Sequence, residues 1–336
     1  MRRHRVEGLF VLGCSAGTDG TLAVLGERPD GDAFDLVLAW CGPDGTHVDR
    51  LDYAPMDGWP EHRPTLLAHP AGGHVVLPEP GRAFRHTGPG QWHELPVTGV
   101  EALASVTPAP RLHGGSAVSD TAEWDVVLAH GVLVQELRYT ARFAIDSATG
   151  TASWHAPWTP DPADFPADRF GFGDPADPSD PTFEDGAADG FEEDDEPRAV
   201  SVTATLRRGG TTYLVSEGSD LGSVNGYGAD FFTCAEVRDG RLGARPHEQS
   251  GWKRRPGKHG LRGRFTSDGT HLVLTPVFRT GEWKGRQRLL ALPDGVLVEP
   301  TLPRGLTKAT VLDRNGGVWW LRVGEEFLGL DGGIVG

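Results

Sequence analysis

The amino-acid sequence predicts an all-β protein and, within that class, one β-propeller of about six four-stranded blades, five or seven being the neighbouring counts. Three observations lead there. Short runs of β-forming residues recur along the whole chain, while the i, i+3, i+4, i+7 spacing of an amphipathic helix is sustained nowhere. Turn formers are abundant, 47 Gly and 26 Pro, as strands of that length require. The runs also fall into groups of four at an irregular interval of roughly 45 to 60 residues, and small sheets repeated in this way bury their faces only against one another, in a closed ring.

The first group is Leu9 to Cys14, Thr21 to Glu27, Phe34 to Cys41 and His47 to Asp52. The second is Pro64 to His69, His74 to Leu77, Ala83 to His86 and Gln91 to Val97. A third, less regular, begins at Glu101 and continues through Trp124 to His130, Tyr139 to Ile145 and Thr151 to His155. Val200 to Leu206, Thr211 to Ser216, Asp230 to Val237 and Arg241 to Pro246 make the fourth; Gly260 to Phe265, His271 to Pro276, Gln287 to Leu292 and Val296 to Thr301 make the fifth. The sixth has only Leu306 to Leu312, Val318 to Val323 and Glu326 to Leu330, and Arg2 to Val6 is the candidate for its missing strand. The alternating residues of these runs, with Trp40, Trp124 and Trp319, are expected to pack between blades.

Tight turns stand where such blades need them. Thr18-Asp19-Gly20, Ala71-Gly72-Gly73, Ser267-Asp268-Gly269 and Asn315-Gly316-Gly317 separate first from second strands, and Asp-Gly or Gly-Gly supplies the positive φ of short hairpins. Ser267-Asp268-Gly269 followed by His271-Leu272-Val273-Leu274 resembles the inner hairpin of TolB-like and WD-type propellers, a likeness of a few residues per blade that implies an architecture and no particular activity. Antiparallel strands send first-to-second and third-to-fourth turns to one face of the disc and the remaining connections to the other. The long segments Tyr53 to Arg63, Gly131 to Arg138, Ala156 to Arg198, Glu217 to Ala229, His247 to His259 and Val277 to Arg286 then gather on that second face, where a rigid scaffold carries function.

Charge is unevenly spread. The chain carries −15 overall, but residues 161 to 198 hold 14 acidic and 2 basic groups, whereas 199 to 336 hold 14 acidic and 19 basic ones. Calcium is a weak candidate for the acidic insertion 156–198, because its carboxylates lack the EF-hand order, and no other cofactor is indicated. From Trp252 to Arg288 ten cations face only Asp268 and Glu282, and the acidic insertion is expected to fold over this rim and mask it from polyanions. The overall negative charge and the lack of a recognition motif argue against nucleic acid as a partner. Cys14, Cys41 and Cys234 are odd in number and widely spaced, which suggests buried thiols rather than disulfides or zinc. Only about five apolar residues separate Glu7 from Cys14, too few for a lipoprotein signal, and no apolar run reaches membrane-spanning length; a monomeric protein of the bacterial cytoplasm is expected.

Two functions remain. The first is a non-catalytic interaction module binding a protein or peptide through the long-loop face, with Trp59, Tyr227, Trp252, Arg254, Arg255, Lys258, Trp283 and Arg286 as contact residues, since exposed aromatics and Arg are the usual anchors. The second is a metal-dependent propeller hydrolase, lactonase or lyase. Its acid/base candidates at the channel mouth are Glu61, His62, His247, Glu248 and His259, and its metal candidates Asp220, Asn225 and Asp230. Neither His-Glu-x-x-His nor Gly-x-Ser-x-Gly is present, so the interaction module is the primary reading.

Overall fold

Twenty-five strands and no helix are found among the described residues of the computed structural model, which are all but 31–32, 53–63, 70, 80–81, 100–122, 131–138, 147–150, 159–198, 209–210, 220–227, 239–240, 243–246, 254–260, 277–284, 293 and 335–336. They form six sheets, the blades of a β-propeller. Blade 1 holds β2 (Phe10–Ala16), β3 (Leu22–Asp30), β4 (Ala33–Gly42) and β5 (Gly45–Arg50), and blade 2 holds β6 (Thr65–Ala68), β7 (His74–Glu79), β8 (Arg82–Gly88) and β9 (Gln91–Leu95). In blade 3, β10 (Val97–Thr98) lies outside β13 (Ala152–Trp158), followed inward by β12 (Tyr139–Asp146) and β11 (Glu123–His130). Blade 4 runs β14 (Ala199–Arg208), β15 (Thr211–Ser219), β16 (Gly228–Arg238), with β17 (Arg241–Leu242) and β18 (His247–Lys253) both against β16. Blade 5 is β19 (Leu261–Phe265), β20 (His271–Pro276), β21 (Arg288–Ala291) and β22 (Leu297–Val298). Blade 6 is β23 (Thr310–Asn315), β24 (Val318–Val323), β25 (Glu326–Asp331) and, as expected, β1 (Arg2–Arg5), which pairs Arg2 with Gly329 and Arg5 with Glu326.

Strand alternation explains how the ring coheres. Leu22 and Val24 turn toward blade 6 and join Val318, Trp320 and Phe327, while Ala23 and Leu25 turn the other way and join Leu66, Val76 and Phe84 of blade 2. Trp319, Leu321 and Leu328 repeat the pattern toward Val273 and Leu289 of blade 5. Phe265, Leu272 and Leu274 do so toward Leu206, Tyr213 and Val215 of blade 4. Blades buried on both faces read in sequence as unbroken apolar runs, which is why their strands were legible without period-2 alternation. Trp319 is buried, as expected; Trp40 is only half-buried, beside His47 and His86.

The tight turns of blades 6 and 1 touch backbone to backbone. Gly316 adopts φ +54°, and a Cβ there would stand 2.5 Å from Gly20 N and 2.6 Å from Thr18 O, so only glycine fits. The inner strands β2, β14 and β23 share a bulge, at Val11/Gly13, Val202/Ala204 and Val311/Asp313, which sharpens twist and re-aims the residues that follow.

Three expectations need correction. Val97 and Thr98 do not end blade 2; they cross to the rim of blade 3, parallel to β13, so Trp124 to His130 is an inner strand and not a second one. Gly131 to Arg138, expected on the long-loop face, lies outside the described residues; β11 ends and β12 begins at the tight-turn end of the blade. Finally, His247 to Lys253 is not loop but strand, because Thr233 pairs with Glu248 and Ala229 with Trp252.

Candidate functional site

The tight-turn end of the ring is closed by a buried polar network drawn from four blades. Asp313, fully buried on β23, accepts hydrogen bonds from Ala16 N (2.7 Å) of blade 1 and from Ser267 N (2.7 Å) and Ser267 Oγ (2.6 Å) of blade 5, besides Arg314 N (2.7 Å). Ser267 Oγ lies 3.1 Å from Ser15 Oγ, so blades 1 and 5 meet across the end of blade 6. Asn315 Nδ2 donates to Ala16 O, and His74 Nε2 of blade 2 donates to Ser15 O at 3.0 Å. Burial pushes the Asp313 carboxyl upward, against the downward pull of Arg264 and the Ser267 and Ala16 donors.

His74 has no access to solvent, and its Nδ1 has no hydrogen-bond partner. Burial, only partly opposed by Asp19, lowers its pKa to about 4. A base whose folded pKa lies below its unfolded value of 6.5 is neutral in the native state, so the unfolded chain takes up the proton first as pH falls. Stability is therefore expected to drop between about pH 6.5 and 4, by about 3 kcal/mol from this residue alone. Urea midpoints measured from pH 7 to 4.5 check this: His74→Gln, which keeps a donor for Ser15 O, should flatten the profile, and an unchanged slope would remove His74 as its source.

The long-loop end differs. Phe10, where inner strand β2 begins, is 66 % exposed although its neighbours Val11 and Leu12 are partly covered. Sequence reasoning missed it by counting Leu9 to Cys14 as one buried run; the start of an inner strand at the loop-bearing face was the available signal.

Few of the anticipated site residues fall on described positions. Trp59, Glu61, His62, Asp220, Asn225, Tyr227, Arg254, Arg255, Lys258, His259 and Trp283 lie outside the described residues, as does the acidic segment 161 to 198. Arg286 is exposed and donates to Glu299 at 2.7 Å. Asp230 stands on β16 opposite Ser219 and Gly251, and Trp252 on β18 at the long-loop rim. His247 and Glu248 are on that same outer strand, three strands from β14, and so away from the channel mouth. Trp158 lies by the end of its blade where β11 gives way to β12, and Ala199 at the end opposite the β14–β15 turn. Cys14, Cys41 and Cys234 are buried free thiols, pushed up by burial to about 11, 12 and 12. Among the described residues no group of three His, Cys, Asp or Glu is placed to hold a metal, and no helix is long and apolar enough to cross a membrane.

The sequence matches no protein-family model and no curated protein. Among solved structures, the α-L-arabinanase of Penicillium chrysogenum, determined with arabinobiose, is 11 % identical with a TM-score of 0.51, over 98 % of both chains. The β-propeller domain of the Trilobed protease from Pyrococcus furiosus is 8 % identical with a TM-score of 0.40, over 97 % of this chain and 84 % of that one. At such identity the arabinanase likeness speaks for the fold alone.

Proposed function

We propose that the protein is a non-catalytic interaction module that binds a protein or peptide on its long-loop face. The observation that supports this reading is the exposed ring of Phe10 at the loop-bearing end of an inner strand, a position where a large aromatic gains nothing for folding. At the other end, the buried carboxylate of Asp313 is consumed by hydrogen bonds that tie blades together. Trp252 at the rim, with the neighbouring basic stretch, would extend the contact surface.

The test compares the immobilised chain with Phe10→Ser and with Val48→Ser, an exposed apolar residue on the outer strand of blade 1. Polypeptides cross-linked by the first chain should be lost with Phe10→Ser and kept with Val48→Ser. Equal capture by all three would end the assignment to this face. Chelator-sensitive turnover of esters, lactones or glycosides by the purified chain would instead favour the metal-dependent hydrolase, lactonase or lyase.

A further inference from the structure

Arg264 sits in an unusual place for an arginine. It is the fourth residue of inner strand β19, between Gly263 and Phe265, and Phe265 is buried toward blade 4. Alternation turns Arg264 the other way, in front of β23, where its Nη2 lies 3.4 Å from Asp313 Oδ2 and its guanidinium reaches Cys14 on β2. One side chain of blade 5 thus lies beside inner strands of blades 6 and 1, next to the ring axis and directly above the Ser15, Ser267 and Asp313 closure. It is 32 % exposed, so the position is open to solvent.

Its charge is poorly used. A guanidinium offers five N–H donors. The contact with Asp313 is long, and that carboxylate already holds four donors at 2.6 to 2.7 Å. The Cys14 thiol is a weak acceptor, held in its neutral form by burial. A planar fork that is part exposed, with most of its donors unmatched among the described residues, is the group that accepts an oxyanion in two parallel hydrogen bonds.

We infer that the channel beside Arg264 binds a small oxyanion, a carboxylate or phosphate group, with the Arg264 guanidinium as its ligand. This does not depend on the partner proposed for the long-loop face. The test is calorimetric titration and thermal shift of the full chain with inorganic phosphate and, separately, succinate, at ionic strength held constant with sodium chloride. Wild type should bind one of them at millimolar concentration or below, and the better of the two identifies the group. Arg264→Lys keeps a positive charge beside Asp313 and so preserves the fold while losing the fork; binding should weaken at least about tenfold. Arg264→Gln should abolish it, and Arg50→Gln, on the outer strand, should leave it as in wild type. Absence of binding by wild type to both anions, or equal binding by the lysine variant, overturns the site.

Discussion

Replacing Asp313 with alanine is expected to lower stability by about 3 to 5 kcal/mol. Ala16 N, Ser267 N and Arg314 N all donate to its two oxygens and lose that acceptor once the carboxylate is gone. Each buried N–H left unpaired costs about 1 to 3 kcal/mol. Relief of the carboxylate's own desolvation, which raises its pKa, offsets part of this, so the three costs do not simply add. Asn is no remedy, because its NH2 would face a backbone N–H on one side. Ser267→Ala should cost only about 1 kcal/mol, since Ser15 Oγ can reorient. Urea unfolding checks the series: a lower midpoint at unchanged m-value is expected for Asp313→Ala. Wild-type stability in that variant would mean that the blades are held by their apolar interfaces alone.

That same residue marks the limit of what the sequence discloses. The blades of the ring are readable from composition because central strand runs such as Leu22 to Leu25 and Val75 to Leu77 are apolar on both sides, and the inner hairpins of blades 1, 2, 4, 5 and 6 carry Asp-Gly or Gly-Gly. Asp313 is not, since the apolar run of the sixth group's first strand ends at Leu312; the bulge at Val311/Asp313 carries the strand on and turns the Asp inward. Its partners lie 46 and 297 positions away, a pairing no local pattern encodes. His247 to Lys253 failed for the opposite reason: His-Glu-Gln-Ser-Gly-Trp-Lys has neither alternation nor β-branched residues, yet an outer strand needs only backbone partners, and β16 supplies them. Blade 3 slipped by one strand because its rim is a two-residue β10 drawn from the end of blade 2, too short to register as a strand. Of the candidate site, Asp230 stands on β16 and Trp252 on β18, both toward the long-loop side, while His247 and Glu248 lie farther along that outermost strand.

Closure of the ring can be tested at β1. Removing residues 1 to 6 takes away a four-residue ladder on β25 and two buried side chains, His4 and Val6. Val6 packs in the interface between blades 6 and 1 with Cys14, Trp320 and Phe327, while His4 lies 3.0 Å from Thr46 Oγ1 and 5.6 Å from the Trp320 ring. Burial of Val6 is worth about 2 kcal/mol and each ladder hydrogen bond about 1, so a loss of about 5 kcal/mol is expected, enough to open blade 6. The ion pairs of the same segment, Arg2 with Asp331 and Arg5 with Glu325, are exposed and should matter little; Arg2→Ala with Arg5→Ala should cost no more than about 1 kcal/mol. The contrast separates two accounts of the strand. If the deletion and the double arginine variant unfold at the same urea concentration, charge and not strand pairing holds β1 in place. If instead the truncated chain unfolds earlier and a synthetic peptide of residues 1 to 7 restores its midpoint, the ring is closed by the ladder, because a peptide in trans recovers the backbone hydrogen bonds and the Val6 packing at an entropic cost that millimolar peptide offsets.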